Sequence, residues 1–473
     1  MALELPDASV HTRHDLRRCS DQRNTHGAIR TRAADRSHAL ITQEGRSVIT
    51  VLCIAFLVLT LAGVPIAFAM LSSTTLAVFA SDALPFALIA QRVGSGIDNF
   101  TYLAIPLFIL AGVIMEHSGI SGRLVALARA LVGHVPGGMG HTVIVSEVFF
   151  SGISGASLSD ASAIGSLMYP TLRQSGYEPG RAAAIIAAAC AMGILIPPCL
   201  TMVVLGAIAG VSVSALFAAG FLPGFVMALA LMLLVYVQAR RGLLPPGERR
   251  ATRAEVWLAC RGALIPLMLP VIIFGGILGG VFSPTEAAAI AVLYALVVAL
   301  FVYRELKLGI LYKLLVQTAT ITGAIGLILG AAAAFSSLLA LEGVPGQVAE
   351  FVTSVSTNPI VFLIVANLIF ILFGAILDGI PALLLFLPIL MPVSNALGID
   401  PLHFTLVSVA SLGIGLIIPP IGIMLLVICS VTNAPLGEVS RAMAPYLVIL
   451  GVCLLFIIAV PAVVLVIPRA LGL

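Results

Sequence analysis

The sequence predicts an all-α polytopic membrane protein built from two inverted repeats. Each repeat has about five spans, a re-entrant helical hairpin and a broken helix. Three observations lead there. The chain has 473 residues, 60% of them hydrophobic and 10% charged, with mean hydropathy +1.16. No soluble domain of this size has that composition, whereas a bilayer-spanning helix needs about 20 apolar residues and this chain holds many such runs. Second, Ser/Gly-rich and Pro-rich tracts interrupt the apolar runs at membrane depth. Third, those interruptions occur twice, at one fixed spacing.

The organising stretch runs from Glu147 to Pro198. A tip of Ser151, Gly152, Ser154, Gly155 and Ser157 lies between two apolar arms that are each too short to cross a bilayer. An apolar helix follows and breaks at Ile196-Pro197-Pro198. A polar, glycine-rich backbone at membrane depth is tolerated only where protein encloses it. Proline removes a backbone donor and interrupts the helical ladder, which frees carbonyls of the preceding turn. A hairpin facing an interrupted helix is how secondary transporters build ion and substrate sites near the midplane.

The repeat is read from glycines and prolines. Pro170, Gly176, Pro179, Gly193, Ile196-Pro197-Pro198 and Pro223 have counterparts at Pro392, Gly398, Pro401, Gly415, Ile418-Pro419-Pro420 and Pro445, each offset by 222 residues. So many matches at one offset make an internal duplication. Gly119 and Gly122 are echoed by Gly343 and Gly346 at offset 224.

In chain order, residues 1–47 come first: polar, with eight Arg and four His in 1–46. They are expected to be a disordered extension, dispensable, with Val48 an alternative start of the working protein. The first repeat is placed at 48–239, with its hairpin near 138–172. A linker occupies 240–261. The second repeat is placed at 262–473, with its hairpin near 359–393. Spans are expected at 48–69, 71–90, 100–116, 182–210, 215–239, 262–282, 285–303, 314–340, 402–431 and 443–467. Amphipathic segments at 119–133 and 343–356 are expected along the interface.

Charge sets the orientation. With the linker inside, fourteen Lys and Arg after residue 46 fall on the cytoplasmic side and two, Arg92 and Arg469, outside. That is the positive-inside pattern, and it makes 240–261 cytoplasmic and 342–357 periplasmic. Five spans per repeat, an odd number, invert the second half relative to the first. The eight Arg before residue 47 break the pattern, which is a further reason to set that segment apart.

At this point the residues resemble a known family. FSGISGASLSDASAIGSLMYP, GYEPGRAAAIIAAA, ILIPP and LGIDPLHFTLVSVASLGIGLIIPPIG are similar to the large membrane subunit of tripartite ATP-independent periplasmic (TRAP) transporters. So are Ile105-Pro106-Leu107-Phe108, Leu222-Pro223-Gly224 and Ser283-Pro284-Thr285-Glu286-Ala287. The resemblance covers about 48–470. It implies a sodium-driven, elevator-type importer of organic acids, such as C4-dicarboxylates or sugar acids, in the bacterial inner membrane. It also implies a small four-helix membrane subunit and a periplasmic substrate-binding protein as partners. No cofactor is expected beyond sodium as coupling ion, no other metal, and no nucleic-acid partner.

The resemblance further implies where sodium binds. A first site would use Ser151 or Ser154 with Gly193, Ile196 and Pro198. A second would use Gly374 and Asp378 with Gly415, Ile418 and Pro420. Ile418 stands where the family usually has Thr, so any hydroxyl ligand there is lost and a backbone carbonyl remains. The substrate is expected at the first tip, from Ser154, Gly155, Ser157 and Asp160. Helix N-termini at the tips suit a carboxylate. Asp160 has an alternative reading as a cap on exposed amides, and the serines one as close-packing residues. Glu286 reads as an N-terminal helix carboxylate. Glu147 receives no role.

Rival functions are weaker. A membrane enzyme needs a reactive set of side chains, and the apolar segments hold few ionisable groups, none at ligand spacing. No GxxxxGK[ST] loop is present for a nucleotide-driven pump. A stand-alone sodium–dicarboxylate symporter of related architecture stays as the alternative.

Overall fold

The computed structural model describes residues 48–81, 85–155, 157–355, 357–377 and 379–473. The extension before residue 48 and the candidate ligand Asp378 lie outside them. Every regular element among the described residues is helical. Eight helices are long and apolar enough to cross a membrane.

The chain starts with α1 (Val48–Leu61) and α2 (Ile66–Phe79), followed by α3 (Ala87–Ile97). This corrects the spans expected at 48–69 and 71–90. Gly63 takes a left-handed φ of 82°, which suits only a residue without Cβ, and Pro65 then opens α2 without a donor. Hydropathy runs through such a break, but a helix cannot. A 3₁₀ turn at Phe100–Leu103 leads into α4 (Ala104–His117), and the amphipathic α5 (Ile120–Val132) follows.

The first hairpin is α6 (Gly138–Ser154) and α7 (Ser157–Gln174). Its arms of 17 and 18 residues reach about 26 and 27 Å, short of a hydrocarbon core of about 30 Å. The broken helix consists of α8 (Pro179–Gly193) and α9 (Leu200–Ala209). The long α10 (Val213–Arg240) closes this half.

The second half opens with α11 (Arg253–Leu278), so the linker between helices is shorter than 240–261. Thr252 and Glu255 form a reciprocal capping box that starts α11 ahead of its apolar run. Next come α12 (Pro284–Val297), a π-helical turn at Val298–Val302, α13 (Leu308–Leu341) and the amphipathic α14 (Val344–Val355). Ser283 and Glu286 cap α12 in the same reciprocal way, which gives Glu286 the helix-terminal role read from its position.

The second hairpin is α15 (Pro359–Ile376) and α16 (Gly379–Ala396). Its broken helix is α17 (Pro401–Gly415) and α18 (Ile423–Thr432). The chain ends with α19 (Leu436–Ala459) and α20 (Ala462–Ala470), separated at Pro461 inside the span expected at 443–467. Helices α7 and α16 have equal length, as do α8 and α17, and each pair is displaced by 222 residues.

Packing divides the work. Helices α2, α3 and α4 lie against α12 and α13, with α11 beside α5 and α12. Each hairpin packs on its own broken helix: α6 and α7 on α8, and α15 and α16 on α17. The far halves cross over. Helix α9 lies against α16, and α18 lies against α7. Backbones approach closely where α8 meets α19: a methyl group at Gly180 would come 2.8 Å from the Glu438 carbonyl. Tyr446 Oη donates to Gln238 Oε1 at 2.8 Å and joins α19 to α10.

Candidate functional site

The site forms where the first hairpin tip meets the first break. Helix α6 ends in Gly155, whose left-handed φ of 63° turns the chain back. The Gly155 carbonyl accepts from Leu200 N, the first amide of α9, at 3.1 Å. A methyl group on Gly155 would come 2.5 Å from the Pro198 carbonyl. Tip and break therefore touch through backbone, and only a glycine allows it.

One turn back, Ser151 is buried and its hydroxyl donates to the Gly193 carbonyl at 2.5 Å. It also lies 3.4 Å from the Ile196 carbonyl. The structure thus brings Ser151 to the Gly193 and Ile196 carbonyls and Gly155 to the Pro198 carbonyl. The Ser154 side chain hydrogen-bonds Asp160. The proline pair does not strand the Gly193 carbonyl, which also accepts from Ile196 N at 2.8 Å in a tight turn. The same turn at the second break carries Ile418 N to Gly415 O at 3.1 Å. This corrects the expectation of unpartnered carbonyls. A three-residue turn recovers the hydrogen bond that proline denies the α-helix, while Ile196 O, at 3.4 Å from Ser151, keeps a weak contact only. The peptide between the two prolines is cis at both breaks.

Among the described residues, the second junction rests on a close contact between glycines. Gly374 of α15 lies on Gly415 of α17 so closely that a methyl group on Gly415 would come 2.6 Å from the Ile371 carbonyl and 3.1 Å from Gly374 Cα. The Ile418 carbonyl accepts from Gly422 N at 2.8 Å. Phe373 stands where Ser151 stands in the first half, so no serine hydroxyl reaches this break from that position. The break is also more open: Pro420 is exposed, whereas Pro197 and Pro198 are buried.

The substrate candidates divide. Gly155 is committed to the backbone junction, and Ser157 starts α7 half-buried. Asp160 is buried, with Oδ2 lacking a hydrogen-bond partner among the described residues. It lies within electrostatic reach of Glu147 and Glu116.

Glu147 is the residue that sequence reading passed over. It lies mid-way along α6, four residues before Ser151, and so on the same face. It is fully buried. Its Oε2 accepts from Cys190 Sγ at 3.6 Å, and its Oε1 has no partner among the described residues. A methyl group on Gly193 would run into Oε1. The available signal was an ionisable residue inside an apolar arm. Chemically the first junction is an oxygen site: one hydroxyl, two converging carbonyls and a carboxylate, a donor set suited to a hard cation. No group of His, Cys, Asp or Glu able to hold a transition metal occurs among the described residues.

Long apolar helices around two hairpins and two broken helices define a multi-pass membrane protein with a transporter fold. The transporter YdaH of Alcanivorax borkumensis shares that fold, with a TM-score of 0.59 over 79% of this chain and 87% of YdaH, at 16% identity. Residues 53–463 match the family described as the tripartite ATP-independent periplasmic transporter, DctM component. The C4-dicarboxylate TRAP transporter large permease protein DctM of Pseudomonas aeruginosa is 40% identical over 377 residues, 80% of this chain and 88% of the relative. The sialic acid TRAP transporter large permease protein SiaM of Vibrio cholerae is 36% identical over 412 residues, 87% and 96% of the two chains. This chain belongs to the TRAP transporter family, as its large permease component, and is a multi-pass protein of the bacterial inner membrane.

Proposed function

We propose that this permease couples the inward movement of sodium to import of an organic acid delivered by a periplasmic binding protein, with a small four-helix membrane subunit as its second partner. The convergence of Ser151 Oγ, Gly193 O and Ile196 O at the first junction carries this reading. Such oxygens suit sodium, and the Ser151 hydroxyl can turn its lone pair toward an arriving cation. The relatives' names support the substrate class, since sialic acid and C4-dicarboxylates are both carboxylic acids. A cation bound between tip and break favours the docked arrangement, and a carboxylate beside it favours the same one. Coupling requires that shared preference. The hairpins and broken helices move together as an elevator against the remaining helices.

The test is uptake by vesicles holding the permease, its small subunit and the loaded binding protein. A sodium gradient should drive accumulation of the acid, and replacing sodium by potassium should remove it. Accumulation that ignores sodium would overturn the coupling.

The orientation belongs to the same proposal. The two halves, 48–239 and 262–473, are inverted repeats, with the linker cytoplasmic and 342–357 periplasmic, on the fourteen-to-two charge asymmetry. Arg250 and Gln347 are exposed positions on the two segments. In intact spheroplasts an impermeant maleimide should label Gln347→Cys and leave Arg250→Cys unlabelled until the membrane is opened. The reverse pattern would overturn the orientation.

A further inference from the structure

We propose that Glu147 supplies the negative charge of the first sodium site, a role that rests on the sodium-coupled reading above. The carboxylate projects from α6 on the face that carries Ser151. Its Oε1 lies against Gly193, whose carbonyl and that of Ile196 meet the Ser151 hydroxyl. The oxygen is buried and has no hydrogen-bond partner among the described residues. A carboxylate oxygen enclosed in that way is costly unless a positive partner reaches it.

The surroundings supply no such partner. Cys190 of α8 offers one weak thiol contact, to the other oxygen. Asp160 of α7 lies within electrostatic reach, and Glu116 of α4 lies within reach of Asp160, and neither of these neighbours can offer a positive charge. Among the described residues, no Lys, Arg or His forms an ion pair with any of the three. Backbone carbonyls alone would give a neutral site. Glu147 turns it into one with a net negative charge, so that the bound cation enters a nearly charge-balanced environment. It also explains why Gly193 is glycine: a side chain there would push the carboxylate away from the carbonyls.

Two substitutions separate charge from shape. Gln in E147Q keeps the size of the side chain and mimics a neutral, protonated acid. The full-length protein, purified from the membrane, is unfolded by heat at rising sodium, with choline holding ionic strength constant. Wild type should be stabilised by sodium and not by potassium. In E147Q the sodium concentration for half-maximal stabilisation should rise by roughly tenfold or more, the size expected when one close charge is removed from a buried site. The pair E147D and E147N repeats the comparison at one carbon shorter, should E147Q fold poorly. E147D should bind sodium more tightly than E147N by a similar factor. Wild-type sodium dependence in E147Q, or equal dependence in E147D and E147N, would overturn the role of Glu147 while leaving sodium coupling intact. Absence of sodium stabilisation in wild type would overturn both.

Discussion

Gly415→Ala is expected to abolish sodium-driven uptake. The methyl group would come 2.6 Å from the Ile371 carbonyl and 3.1 Å from Gly374 Cα, both backbone atoms of the neighbouring arm. Neither can rotate aside as a side chain would, so α15 and α17 must separate. Forcing extra volume into a packed interior costs about 1–3 kcal/mol, and here the strain falls on the second junction itself. Gly193→Ala meets a side chain, Glu147, which can swing away at the expense of its position. It should therefore fold better than Gly415→Ala and show weakened sodium dependence. Gly326→Ala is the control, because nothing lies within 4 Å of the added carbon. Uptake in reconstituted vesicles, with the amount of folded protein measured alongside, reads the result. Full activity in Gly415→Ala would show that the close glycine contact is not needed for transport.

The permease reconstituted alone should show no uptake above empty vesicles, and adding the small subunit together with the loaded binding protein should restore it. Between residues 48 and 473 the described elements are almost all apolar helices, and the segments joining them are short. They form no soluble lobe with which to capture a dilute acid. The family to which the chain belongs is described as tripartite, which motivates the expectation. Each component omitted in turn provides the check. Robust sodium-dependent uptake by the single chain would favour the stand-alone symporter and remove the need for partners.

Much of the architecture was legible because proline and glycine act locally. Pro197-Pro198 and Pro419-Pro420 interrupt the ladder whatever surrounds them, and both breaks fall where the residues place them. The amphipathic α5 and α14 were readable from their polar stripes. The break at Gly63–Pro65 carries the same chemistry but was lost inside a continuous apolar run. Ser151 and Ser154 could not be separated in the sequence, since both lie on the same tip three residues apart. Only the packing turns Ser151 toward Gly193 and engages Ser154 with Asp160.

By itself, then, the sequence determined that the chain lives in a bilayer, that its glycines and prolines recur at an offset of 222 residues, and where its two broken helices are interrupted. Those properties depend on composition and on backbone chemistry within a few residues. The tertiary structure alone decided that Glu147 would face Gly193, that glycine backbones would seal the second junction, and that α9 and α18 would each cross to the opposite hairpin. A helix apolar on every side has no stripe to tell which face meets a neighbour, so its rotation and partners are set by side-chain packing between segments far apart in the chain.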